Sequence, residues 1–439
     1  MRKAGFLFAG ALLAAAACGG SGSPTGPDAT GSSCTTLGQV QTVRATLREW
    51  YFWYTHLSDP DPGSFGSPEQ YLEAVRYRPL DSSFSYIAPK AESEAFFSES
   101  QFIGFGFRTS LVAADELRVV DVFAGSPAAQ AGIDRGSRFL EVNGRTIADL
   151  VASGQLGSVF GPSQVGVTAR IRFRDRAGAE REVTLTKQLV TIPTVAVEQV
   201  YRVGGRTVGY LVFENFVRPS TEALTASFGR FAAAGVNELV LDLRYNGGGL
   251  IDVARHLGGL IGGAGTNGQV FVRFVHNDKQ SARNSTQTFP SPANALSLSR
   301  LVVITTESSA SASELVINAL RPFMEVTVVG ERTYGKPVGQ YGFDFCDKTL
   351  FPVAFATVNA RDQGDYFGGI PADCAAPDDY FRAFGDPEEG SLSAALGYIA
   401  SGRCDAVAAA RARSTASRRP PQALQPHRGD GWKELVGAF

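Results

Sequence analysis

The chain has 439 residues, of which 44% are hydrophobic and 19% charged, enough sequence for two to four globular domains with sizeable cores. A formal net charge of −2 excludes the strongly basic balance that nucleic acid calls for, and gives no reason to expect highly charged substrates.

Arg2 and Lys3 precede an apolar run from Phe6 to Ala17 that is too short to span a bilayer as a mature helix. We read residues 1–17 as a signal peptide. The stretch Leu13-Ala14-Ala15-Ala16-Ala17-Cys18 resembles a bacterial lipoprotein signal, which would make Cys18 the lipidated N-terminus. The leucine usual three places before that cysteine is Ala15 here, so ordinary signal-peptidase cleavage is the alternative. Residues 18–35, rich in Gly, Ser, Pro and Thr, read as a flexible tether. The expectation is an exported protein of a bacterial cell envelope, facing the periplasm or the exterior and touching the membrane through its lipid. Export permits disulfides. Cys34, Cys346, Cys374 and Cys404 allow three complete connectivities, and two structural bridges are favoured over a metal site because no CxxC or clustered His accompanies them. His56, His256, His276 and His427 are scattered and form no Ser/His/Asp or zinc signature.

Residues 36–95 are expected to be a small helical domain. Val43, Leu47, Trp50, Tyr51 and Tyr54 recur at helical spacing, an aromatic stripe that reads as core. A second helix is predicted around Pro68 to Arg76, followed by Pro79-Leu80-Asp81-Ser82-Ser83-Phe84-Ser85-Tyr86. Residues 96–193 carry Gly125-Ser126-Pro127-Ala128-Ala129-Gln130-Ala131-Gly132-Ile133 and Gly136-Ser137-Arg138-Phe139-Leu140-Glu141-Val142-Asn143-Gly144. Both stretches resemble the helix-and-strand signature of a PDZ domain. The resemblance makes Gly104, Phe105, Gly106 and Phe107 a loop that binds a C-terminal carboxylate. Glycines there let backbone N–H groups turn toward an anion, and a free sheet edge takes up a peptide as an added strand.

Strands and helices then alternate, as in an α/β core spanning residues 194–405. Val208 to Phe213 is a predicted strand, and Ser220 is expected to cap a helix ending near Gly235. Glu238 to Leu243 is the next strand, followed by Arg244-Tyr245-Asn246-Gly247-Gly248-Gly249 and a helix starting around Leu250. No P-loop Lys-Ser/Thr follows these glycines, which weakens a phosphate-cradle reading. The apolar run Leu301 to Ile304 leads into Ser308-Ser309-Ala310-Ser311-Ala312-Ser313-Glu314, a helix through Leu315, Val316, Ala319 and Leu320, and a strand at Val326 to Val329. Serine between a strand and a helix sits where unpaired N–H groups and the helix dipole favour an oxyanion. It still needs a base. Lys336 stands among Tyr334, Gly335, Pro337 and Val338, in a chain with seven lysines against 34 arginines. A lysine desolvated there has a lowered pKa, and its neutral amine could take the serine proton.

This segment closely resembles the C-terminal processing peptidases, or tail-specific proteases, which are Ser/Lys serine peptidases. A serine within S-A-S-A-S-E is followed after 25 residues by a lysine, as Ser311 is by Lys336, and Gln340 comes four residues later. The resemblance makes Ser311 the nucleophile, Lys336 the general base and Gln340 the group that orients the lysine, with Glu314 and Thr333 in support. It makes Gly247 or Gly248, with the Ala312 N–H, the oxyanion donors. An Asp common in the family eleven residues after the serine is Pro322 here. The implied architecture is multidomain α/β: a crotonase-like α/β peptidase core preceded by a PDZ domain and a small N-terminal helical domain. The implied activity is cofactor-free cleavage of polypeptides, with the PDZ domain selecting C-terminal tails and able to gate the site. Two other readings are a catalytically silent peptide-binding lipoprotein and a Ser/His hydrolase built on His256. Residues 406–439, Ala/Arg-rich and then polar, read as a disordered tail whose apolar end, Leu435 to Phe439, could lie in its own PDZ groove.

Overall fold

The computed structural model describes residues 33–404. The expected signal peptide, Cys18, most of the tether, His427 and the tail 406–439 lie outside the described residues. At the centre is a six-stranded sheet in the order Val195–Val203, Arg206–Phe213, Glu238–Asp242, Arg300–Thr305, Glu325–Gly330 and Cys374–Ala375. Its first two strands form an antiparallel hairpin and the remaining pairings are parallel. The parallel strands read as continuous apolar runs because both faces are covered. On one face Leu239, Leu241, Leu301 and Val303 meet the helices Ser220–Ala233, Ile251–Gly262 and Ala312–Leu320. On the other, Val240, Val302 and Ile304 meet the helix Gly390–Ser401. Ser220 differs from expectation: Pro219 is the N-cap and Ser220 the first helical residue. Its hydroxyl accepts from the Val217 N–H at 3.2 Å and donates to the Asn215 carbonyl at 2.8 Å, so it fixes the preceding turn instead of the helix end.

The helix Thr36–Trp50 starts with Thr35 accepting from the Gly38 N–H, and buries Val40, Val43, Leu47 and Trp50, as the aromatic stripe predicts. The helix Pro68–Val75 starts from Ser67, with Pro at its first position. Residues 36–95 are not wholly helical, however. Tyr86–Pro89 is a strand, paired antiparallel with Lys348–Phe351, which in turn pairs with Phe343–Phe345. A four-residue strand whose partner lies about 260 residues away leaves no local periodicity to read. The disulfide Cys34–Cys346 fastens the same corner, and Cys374–Cys404 ties the last strand of the central sheet to the end of the last helix. Of the three connectivities, this is the one formed.

Residues 96–193 hold a separate sheet in the order Phe107–Ala113, Glu116–Val122, Arg138–Val142, Thr168–Arg174 and Glu180–Thr186, which leaves Phe107–Ala113 at an edge. Its core is built on Phe105, Phe107, Val119, Phe139, Ile171 and Phe173. Ionic networks join it to the central sheet. Arg108 pairs with Asp121 of its own sheet and with Glu214, which follows the strand Arg206–Phe213. Arg135 Nη2 donates to Asp378 Oδ1 at 2.7 Å, and its Nη1 to the Tyr245 hydroxyl at 3.3 Å. Arg244, fully buried, adds a bond to the same Asp378 oxygen at 2.9 Å and pairs with Asp242 and Glu389.

Burial alone would raise the Asp378 carboxyl, but the Arg135 and Arg244 guanidiniums overcome it and hold the group at about 2. An unfolded aspartate titrates near ~3.9. The folded value is the lower one, so this contribution is complete above pH ~4 and is lost as pH falls through about 2. Urea unfolding of wild type and Asp378→Asn should therefore differ clearly at pH 7. The difference should shrink by about 2 kcal/mol as the pH is taken from 5 to 2.

Candidate active site

The turn that carries Ser311 is held from below by the segment that leads into the three glycines. Ser309 Oγ donates to the Leu243 carbonyl at 2.7 Å. The Asn246 carbonyl accepts from the Ala310 N–H at 3.1 Å and from Ser313 Oγ at 2.9 Å. Asn246 Nδ2 is anchored on the Phe213 carbonyl at 2.8 Å. The result puts Ser311 at φ 55°, ψ −112°, immediately before the helix Ala312–Leu320. A non-glycine residue held at positive φ is strained, and strain of this kind gathers where a side chain must be aimed. Gly248, at φ +98°, lies against this turn: a Cβ on it would come within 2.7 Å of Ala312 N and 2.8 Å of Ser311 Cβ. The Ala312 N–H is in the first helical turn, where the helix itself supplies no acceptor. The Gly248 N–H donates to Asn246 Oδ1 at 2.9 Å.

Glu314 joins the serine to the lysine. Its side chain is fully buried. Oε2 accepts from the Ser311 N–H at 2.9 Å and from the Lys336 N–H at 2.8 Å, and Oε1 accepts from the Gly335 N–H at 2.7 Å and from Thr333 Oγ1 at 2.5 Å. Burial leaves this carboxyl raised above its ordinary value, the four donors offsetting only part of the push. Thr333 is itself fixed, accepting from the Ile370 N–H at 2.7 Å.

Lys336 is 4% exposed, and its Nζ donates to Gln340 Oε1 at 2.6 Å. Gln340, in the strand Val338–Gln340, uses its Nε2 on the Phe84 carbonyl at 2.6 Å and the Phe351 carbonyl at 2.8 Å. Both amide hydrogens are thus committed, and a flipped amide would set its oxygen against two carbonyls. The oxygen therefore faces the lysine. The Phe84 ring lies 5.8 Å from Lys336 Nζ.

The structure brings together Ser311, Ala312, Glu314, Thr333, Lys336, Gln340 and Gly248. It places Gly104, Phe105, Gly106 and Phe107 elsewhere, in the separate sheet module, where both phenylalanines are buried and the carbonyls of Phe105 and Gly106 accept from Ala128 and Phe123 N–H groups. His256 is bonded to Thr225 on a neighbouring helix at 2.8 Å. Pro322 lies beyond the end of the nucleophile helix, with its carbonyl taken by Arg361 at 2.8 Å. Sequence reasoning missed Asn246, Phe84 and Phe351. The last two act through backbone carbonyls, which carry no residue-type signal.

The model of Peptidase family S41 matches residues 207–376, and that of the Peptidase S41 N-terminal domain matches residues 38–86.

Residues 207–376 are thus similar to peptidase family S41, and residues 38–86 to its N-terminal domain.

Ser311, Glu314, Lys336 and Gln340 all fall inside the first S41 match, and Phe84 falls inside the second. A carboxyl-terminal-processing protease of Synechocystis is 28% identical over 57% of this chain and 56% of its own length. A protein of Staphylococcus aureus named as a CtpA-like serine protease is 26% identical over 62% of the chain and 52% of its own length. The chain thus spans little more than half the length of these two relatives. A solved Bacteroides fragilis structure assigned to the S41 proteases superposes with a TM-score of 0.66 at 27% identity, covering 83% of this chain and 97% of that one. The photosystem II D1 C-terminal processing protease shares the fold at 19% identity and a TM-score of 0.52, over 84% and 99% of the two chains.

The strain at Ser311 makes a stability prediction independent of chemistry. Glycine adopts φ 55° without a Cβ clash, so Ser311→Gly should be more stable than Ser311→Ala by about 1 kcal/mol. Parallel melting curves of the two variants check this. An alanine variant as stable as the glycine variant would mean that the turn is relaxed.

Proposed function

We propose that this chain is a serine endopeptidase that cleaves polypeptides through an acyl-enzyme formed on Ser311, with Lys336 as general base. The observation that carries the reading is the shared carboxylate: Glu314 Oε2 accepts from the backbone N–H groups of both Ser311 and Lys336. One buried group therefore locks nucleophile and base into the same site. The family match and the peptidase names of the relatives favour the same chemistry.

In this mechanism Lys336 acts as a neutral amine, oriented by Gln340 Oε1. It takes the proton from Ser311 Oγ as the oxygen attacks the substrate carbonyl. The oxyanion is met by the Ala312 N–H together with that of Gly247 or Gly248. Gly248 would have to give up its bond to Asn246 to serve. Lys336 then protonates the leaving amine, and water attacks the acyl-enzyme with Lys336 again as base. No metal or cofactor takes part.

Residues 96–193 act as a PDZ domain for substrate C-termini. The edge position of Phe107–Ala113 suits addition of a peptide as an extra strand; the expected Gly104 to Phe107 loop is reduced to Phe105 and Gly106, between the strand Gln101–Gly104 and that edge strand. The crotonase-like description of the core is part of the same reading. Export and a lipid on Cys18 rest on the N-terminal sequence, and the two disulfides suit an oxidising compartment.

Cleavage of fluorescein-labelled casein by the full chain tests the dyad. Ser311→Ala and Lys336→Ala should each lower kcat by at least about 10³-fold with the fold intact. Activity surviving in Lys336→Ala would point to another base and sink the Ser/Lys assignment. A wild type with no activity on any unfolded protein would favour the silent binding protein. Amidating the C-terminus of a peptide substrate should raise KM without changing kcat, if the module captures free carboxylates.

A further inference from the structure

Of the stretch Asp81 to Tyr86, singled out in the sequence, only the Phe84 carbonyl has a part in the site described above; Asp81 has none. The structure assigns it one, which rests on the Ser311/Lys336 reading. Asp81 is fully buried, and among the described residues its carboxylate is hydrogen-bonded by Ser85 and Tyr51 and by no arginine, lysine or histidine. Its Oδ1 accepts from the Ser85 N–H at 2.9 Å, and its Oδ2 accepts from Ser85 Oγ at 2.6 Å and from the Tyr51 hydroxyl at 2.9 Å. Ser85 is held on its other sides too. Its Oγ accepts from the Val353 N–H at 2.9 Å and its carbonyl from Arg76 Nη1 at 3.1 Å.

The peptide group between Phe84 and Ser85 therefore has both ends engaged. Its N–H donates to Asp81, and its carbonyl accepts from Gln340 Nε2 at 2.6 Å. The Gln340 amide continues the line, its oxygen accepting from Lys336 Nζ at 2.6 Å. The order is carboxylate, peptide, amide, amine. Every member is polarised in the same sense: a negative charge at the N–H end of an amide makes its oxygen a better acceptor, and the next amide repeats the effect. Such a line fixes direction as well as distance, because a rotated Phe84–Ser85 peptide would lose the carboxylate and the glutamine together.

We propose that Asp81 is a positioning residue for the lysine base. It acts through the Phe84–Ser85 peptide and Gln340, so that the N-terminal unit completes the catalytic centre. Asp81 touches neither substrate nor Ser311. Its influence runs along the chain of hydrogen bonds and nowhere else in the mechanism.

The test uses the full chain and two readouts: casein cleavage, and the rate at which a fluorophosphonate labels Ser311. Asp81→Asn keeps the volume and one acceptor but removes the charge. It should lower kcat and the labelling rate about tenfold while KM stays within about twofold. In a Gln340→Ala background the same substitution should change the labelling rate by less than about twofold, because the line is already cut. Ser85→Ala, which spares the Ser85 N–H, should cause a smaller loss and likewise none in that background; it carries the test should Asp81→Asn fail to fold. An Asp81→Asn rate equal to wild type overturns the proposal. So does a loss that falls on KM, or one that persists undiminished in the Gln340→Ala background, since a purely structural effect would multiply with it. If Ser311→Ala or Lys336→Ala retains activity, the Ser/Lys reading fails. If both are inactive and Asp81→Asn matches wild type, only the present inference fails.

Discussion

Glu314 carries a carboxylate with no solvent exposure whose oxygens take four hydrogen bonds, three of them from backbone N–H groups on either side of the site. A buried carboxylate left without donors would be expelled or protonated. The donors that make it tolerable are the nucleophile turn and the lysine loop, so the carboxylate's own requirement for partners is what holds those two segments together. The same logic runs outward. Thr333 is fixed by Ile370, Lys336 by Gln340, and Gln340 by two carbonyls from paired segments. Each polar group is satisfied by the next, and the shells differ only in their distance from the reacting atoms.

A second organising constraint is the desolvated charge between the two sheets. Arg244, Asp242, Glu389, Asp378 and Arg135 form a network with little or no solvent contact, and it reaches Tyr245, one residue before Asn246. Removing one partner from such a network leaves a buried charge uncompensated. The sheet module is thereby bound to the turn that supports Ser311, a connection that apolar packing could not make directional.

The sequence made the strands and helices of the core legible because they are long, apolar and bounded by glycine and serine, as at Glu238 to Leu243 and Ser308 to Leu320. The juxtaposition of Ser311, Lys336 and Gln340 was equally readable, since their residue types stand at a recognisable spacing. Illegible were the features made by backbone or by distant pairing. Phe84 and Phe351 contribute carbonyls, Tyr86–Pro89 is a strand only because Lys348–Phe351 lies beside it, and Asn246 works through both its side chain and its carbonyl. The disulfide pairing was open for the same reason: four cysteines define combinations, and only the fold selects among them. Ser220 shows the limit of a local rule, since its hydroxyl satisfies the turn before the helix and leaves the cap to Pro219.

The bond from Gln340 to Phe84 joins positions 256 residues apart, and the strand pairing Tyr86↔Phe351 spans a similar interval. Contacts of such range form late, because long loops must close before they reward the chain. During synthesis, the serine and the lysine emerge before Phe351, the last residue to touch Gln340, has been added. A growing polypeptide therefore carries Ser311 and Lys336 before all the partners that fix Gln340 are in place. Until Phe351 has been added and paired, Gln340 holds only part of its hydrogen-bond set, so the Lys336 amine is oriented only once the first and last thirds of the chain have met.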